Sequence, residues 1–146
     1  MIRHPDHLTR TAHGDPTFYA LCPSSSAVRD YACRLVQEIG ETFAPNRIKI
    51  ESPDFMGFAH GYHHEKDSLL LWPQDTFLLG LSFCPHCLSA AHAAGIPAVV
   101  ARRQAANLLD NAFTAELQAF IAWRSTPVTA LIAELTAGSA RLPSSC

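Results

Sequence analysis

Ala44-Pro45-Asn46-Arg47-Ile48-Lys49-Ile50-Glu51 is the stretch whose reading decides the fold. Pro45 disfavours helical geometry in the residue before it, so Ala44-Pro45-Asn46 stops any helix arriving from upstream. From Arg47 to Glu51, charged and β-branched residues alternate with a period of two, which is the pattern of a strand. Working outward, Phe18 to Leu21 is a second short apolar run, closed by Cys22-Pro23. Between the two runs, Ser24-Ser25-Ser26 reads as a helix start. Serine hydroxyls accept from unpaired first-turn amides, and Asp30 suits the positive end of the helix dipole. Val28, Tyr31, Leu35, Ile39 and Phe43 then recur at helical spacing and predict a helix over 26–43 with that face turned inward. Strand, helix, strand predicts a parallel unit whose crossover helix covers the sheet. The expected fold is therefore helix-rich α/β, a partial (β/α) barrel segment with about two parallel strands and roughly four to five helices.

Downstream, Leu69 to Trp72 and Phe77 to Leu81 are apolar runs around a Pro73-Gln74-Asp75 turn signal, and periodicity does not distinguish strand from buried helix there. Cys84-Pro85-His86-Cys87 opens a helix with proline at its first position and Gly95 past its end. Pro97 starts another, to about Asp110. Phe113, Leu117, Phe120, Ile121, Val128, Leu131, Ile132 and Leu135 form one long stripe that includes Arg124, and Pro127 is expected to bend it. Residues 1–16 read as a polar, poorly ordered leader, 17–137 as the barrel-segment domain, and 138–146 as a frayed tail.

A complete β/α barrel takes roughly 250 residues, and this chain has 146. The expectation is a fragment whose long stripe would pack on strands supplied elsewhere, leaving apolar faces that favour self-association. A net charge of −2 with scattered basic residues excludes a nucleic-acid groove and an anionic membrane surface as partners. The amino terminus has no apolar h-region and no stretch approaches a membrane span, so the cytoplasm is the expected location. Five cysteines argue against a disulfide framework and for reduced thiols or a metal site. Eight histidines are the compositional outlier, three of them (His4, His7 and His13) in the leader.

Glu51 at the carboxyl end of a strand is the candidate catalytic carboxylate, placed to act as acid, base, nucleophile or substrate anchor. Its alternative is an ion pair with Lys49, Arg47 or Arg124 that only holds the following loop. Glycoside hydrolysis needs two carboxylates about 5 to 10 Å apart, and Asp54, Glu65 and Asp67 all lie on that same loop. The loop from Ser52 to Asp67 exceeds the usual strand-to-helix connection. His60, Tyr62, His63, His64 and Glu65 would give sugar hydroxyls polar partners and an aromatic platform, and Arg124 is counted with them as substrate-binding. The spacing is neither that of a His-Glu-x-x-His protease nor its inversion. The competing reading is that these histidines bind backbone and fold the loop over the core.

Cys84 and Cys87 admit three readings. Cys84 at a helix amino terminus can be a redox thiolate, and Phe83 to Leu88 resembles the active site of periplasmic disulfide oxidoreductases of the thioredoxin fold. Alternatively, both cysteines join two of His60, His63, His64, His86 and His92 around zinc, a metal suited to thiolate and imidazole. The third reading is a pair of buried reduced thiols.

Leu21 to Ser24, Val28 to Tyr31, Ile48 to Pro53, His60 to Lys66 and Phe83 to Cys87, in that order, together resemble uncharacterised bacterial glycoside-hydrolase-like (β/α) barrel proteins. The resemblance covers about Gly14 to Leu135. It implies Glu51 at an acidic strand end, His60 to Glu65 over a sugar site, and a carbohydrate or other small-molecule ligand. Similar sequences often carry a further cysteine where this chain has Ser82.

Overall fold

The computed structural model describes residues 4–58, 72–107 and 113–139. After a 3-10 turn at Pro5–His7, strand β1 (Leu8–Arg10) pairs antiparallel with β2 (Pro16–Leu21), with a bulge between Leu8 and Thr9. The turn closes through Thr11 N–H to the Asp15 carbonyl at 3.0 Å, Asp15 N–H to Thr11 Oγ1 at 3.3 Å, and Gly14 at φ +99°. Gly14 supplies a left-handed conformation there that a side chain would resist. Among the described residues six helices follow: α1 (Ser26–Phe43), α2 (Pro73–Leu79), α3 (Pro85–Ala93), α4 (Ala98–Ala106), α5 (Ala115–Trp123) and α6 (Ser125–Ser139).

The expected partial β/α barrel is overturned. Among the described residues the sheet has two strands, and they run antiparallel. Residues 47–50 form no strand. Two physical reasons account for this. β2 finds its partner in the adjacent β1, a hairpin that needs no crossover. The second expected strand would have set Arg47, Lys49 and Glu51 on one face, which a buried sheet accepts only with compensating partners. Instead Ile48 alone packs on the core, Ile50 is 40% exposed, and Lys49 meets Glu51 in solvent.

α1 has the predicted span, but its buried face is different. Val36 and Gly40 are buried and Ala32 and Cys33 partly so, whereas Tyr31, Leu35 and Phe43 are exposed. The small residues let α6 approach closely with Leu131 and Leu135, and Arg29 Nε reaches both Glu134 oxygens at 3.1 Å across that contact. α1 ends at Ala44 in the left-handed region (φ 42°), just before Pro45.

The single long helix expected from Phe113 onward is two. The break falls at Arg124, and Pro127 sits in the first turn of α6, where its missing amide donor costs no helical bond. The stripe is thereby divided: Leu117, Phe120 and Trp123 enter the main core, and Leu131 and Leu135 pack on α1. The main core joins α2 to α5 through Leu78, Leu81, Phe83 and three alanines of α4 (Ala98, Ala101, Ala105). Phe83 stacks on Phe120 with centroids 4.5 Å apart. Pro73 opens α2, so Phe77–Leu79 of the ambiguous apolar runs are helical and Leu81 is not, while residues 69–71 lie outside the described residues. No helix among the described residues is long and apolar enough to cross a membrane.

Candidate metal centre

Two chain crossings build the site. Cys22 follows the last residue of β2, where its N–H donates to the His7 carbonyl at 2.8 Å. The extended segment Leu81–Cys84 lies beside β1: Phe83 N–H donates to the Arg10 carbonyl at 2.7 Å, and Arg10 N–H reaches Ser82 Oγ at 3.4 Å. The hairpin therefore carries Cys22 to the start of α3. Cys84 is the N-cap of α3, and its Sγ accepts from Cys87 N–H at 3.5 Å. A sulfur there faces the positive end of the helix dipole, which favours the thiolate.

Cys22, Cys84 and Cys87 all have zero exposed surface. Cys22 Sγ lies 3.2 Å from Cys84 Sγ and 3.3 Å from Cys87 Sγ, and the three sulfurs fall within 4.8 Å of one another. A disulfide requires about 2.05 Å, so these are three free thiols. Zinc–sulfur bonds of about 2.3 Å in a tetrahedron set thiolates about 3.8 Å apart, so outward shifts of roughly 0.5 Å would admit a metal. The three cysteines can hold a metal ion.

The cluster favours one shared negative charge. Hydrogen bonding from Cys22, then from Cys87, pulls Cys84 down to about 2. The bond to Cys84 is the largest influence pushing Cys22 up to about 11, and Cys22 and Cys84 together push Cys87 up strongly. Cys84, at the helix end, is thus the sulfur favoured as the thiolate, and Cys22 and Cys87 are favoured as thiols unless something displaces their protons. A metal cation does that, because thiolate ligands bind it by losing protons. Two hydroxyls complete the surroundings, Ser24 Oγ and Ser82 Oγ, each 3.6 Å from Cys87 Sγ. Phe55 and Val128 cover the cluster with apolar surface.

The spacing of Cys84 and Cys87 singled out two ligands, while Cys22 went unassigned as a third. Its partners are 62 and 65 residues away in the chain, so no local spacing announces it; the signal was a cysteine closing an apolar strand. The expected histidine ligands fare differently. His86 stacks on His7 at 5.2 Å, His92 is exposed, and neither joins the sulfur cluster. His60, Tyr62, His63, His64 and Glu65 lie outside the described residues.

Glu51 is solvent-exposed, its carboxylate 3.4 Å from Lys49 Nζ with both side chains about four-fifths exposed. The strand end that was to present it is absent. Arg124 sits elsewhere, at the junction of α5 and α6, its guanidinium 4.8 Å from the centroid of the Phe55 ring and its Nη2 3.4 Å from the Gly80 carbonyl. Burial lowers its pKa from the usual value, and the charges of Cys87 and Asp54 oppose that shift. Comparisons with protein-family models, curated proteins and solved structures returned no match to this chain.

Proposed function

We propose that the chain is a small zinc-binding structural module in which Cys22, Cys84 and Cys87 hold the ion. The observation that carries this reading is the convergence of three fully buried sulfurs from two distant segments, at separations close to those of zinc-bound thiolates. The Ser82 or Ser24 hydroxyl would take the fourth position. When bound, zinc supplies a cation that converts three mutually repelling thiolates into a neutralised cluster and ties the hairpin to the start of α3. Cys84 holds the first thiolate at the helix end, Cys87 fixes its orientation through its backbone amide, and Cys22 brings the hairpin. Phe55 and Val128 exclude water from the sulfurs. A redox dithiol needs a sulfur that a partner's disulfide can reach, and zero exposure at all three positions weighs against that use.

The test is metal analysis of protein purified without chelator. The expected result is one zinc per chain, lost in Cys84→Ser/Cys87→Ser and also in Cys22→Ser alone. Zinc retained by Cys22→Ser would contradict the three-cysteine centre, and metal-free protein carrying a Cys22–Cys84 disulfide would replace it with redox chemistry.

A further inference from the structure

Beside Phe55 lies a second feature that the metal reading does not use. Arg124 borders an open cavity of about 370 Å³ whose remaining walls include Phe55, Phe58, Pro73 and Phe77. That size falls in the range of small-molecule sites, which pair mostly apolar walls with a few polar groups. Here the dominant polar group is a guanidinium, and it is under-partnered. It is partly buried and stacked on Phe55. Its long contact to the Gly80 carbonyl at 3.4 Å satisfies one nitrogen weakly. Its Nε is buried without a hydrogen-bond partner, and Arg124 makes no ion pair among the described residues. A charged donor left unmet in a desolvated place is costly, and because Nε has no exposed surface it is the terminal Nη groups that an occupant of the cavity would meet.

The cavity is held open by the backbone around it. Gly80 admits the crossing of the 55–58 segment, since a Cβ there would stand 3.1 Å from Phe58 N and 3.3 Å from the Phe77 carbonyl. Tyr19 Oη donates to the Phe58 carbonyl at 3.2 Å and pins the same segment from the hairpin. Cation, aromatic floor and apolar walls together specify the occupant. One guanidinium beside the Gly80 carbonyl dipole matches a monoanion better than a phosphate dianion, which would require further donors. A planar carboxylate accepts two parallel N–H bonds from a guanidinium, and phenyl walls suit a flat apolar body behind it.

We infer that this cavity is a binding site for a small carboxylate with an aromatic or branched apolar body, anchored by Arg124. Asp54 is the competing internal occupant: its charge is felt at Arg124, but it forms no ion pair there.

The experiment titrates the full chain with benzoate, following heat by calorimetry and the Arg124 Nε–H resonance by NMR, with benzamide and inorganic phosphate as parallel probes. Saturable benzoate binding that moves the Nε–H resonance is expected, with benzamide and phosphate at least about tenfold weaker. Arg124→Lys, which keeps the charge and loses the fork, should weaken benzoate about tenfold. Phe77→Ala, at a wall residue already 43% exposed, should weaken it while leaving the fold intact. Asp54→Asn should leave benzoate binding unchanged or tighter. The proposal is overturned if benzoate does not saturate, if benzamide binds as well, or if Arg124→Lys binds normally. It is equally overturned if Asp54→Asn moves the Nε–H resonance of the ligand-free protein, because the chain's own carboxylate then fills the site.

Discussion

The cysteine centre and the Arg47–Asp54 stretch differ in a way that separates apparent from assembled chemistry. In the stretch, charged groups are adjacent in sequence, and all of Arg47, Lys49, Glu51 and Asp54 are exposed. Lys49 and Glu51 meet in solvent, where an ion pair contributes little because water screens it and two flexible side chains must be ordered. In the centre, Cys22 and Cys84 are 62 residues apart, yet the hairpin and the extended Leu81–Cys84 segment bring them together without exposed surface. Contiguity in sequence concentrates residue types; burial and convergence make a site. The cost of burying a thiolate is what makes the second arrangement informative, since the fold would not carry it without compensation.

That contrast can be strained most severely by removing metal. A chelator that strips zinc should lower the melting temperature by about 10 °C or more, since structural zinc contributes folding free energy directly. The loss should be local as well as large. The Cys22 and Phe83 amides, which bond His7 and Arg10, should lose protection from hydrogen exchange, while α4 and α5 amides around Phe120 keep theirs. Uniform loss of protection would mean that the centre is not a distinct tie. At the other end of the scale, Glu51→Gln should leave the melting temperature within about 2 °C, because substitutions on exposed surface away from packed features fall within roughly ±0.5 kcal/mol. A larger shift, measured by calorimetry, would show that the exposed stretch is structurally more than it looks.

Much of the helical architecture was legible. The Ser24-Ser25-Ser26 cluster and the Pro45 stop gave the span of α1, and Pro85 with Gly95 at φ +76° gave α3. Those signals are local and chemical, so tertiary structure had little to override. Ser25 shows the limit even there: its hydroxyl bonds His7 Nδ1 at 3.0 Å and makes no cap contact. Pairing and facing were not legible. Alternation over 47–51 is equally compatible with exposed coil, and no local pattern says that β2 pairs back to Leu8–Arg10, within the stretch read as a leader. On α1, size outweighed hydrophobicity. Ala32, Cys33 and Gly40 permit close approach by α6, and the larger Tyr31 and Leu35 were left outside. Two of the three clustered cysteines, Cys84 and Cys87, were visible in the sequence. Cys22 required knowledge of a crossing that spacing does not encode.

Cobalt substitution offers the most direct test that Cys22 completes the centre. Tetrahedral cobalt bound by thiolates has sulfur-to-metal charge-transfer absorption that grows with the number of sulfurs. One cobalt per chain is expected, with an intensity matching three thiolates, and the band is expected to be lost in Cys22→Ser at equimolar cobalt. An intensity unchanged by Cys22→Ser, or no charge-transfer band in the unaltered chain, would contradict the account.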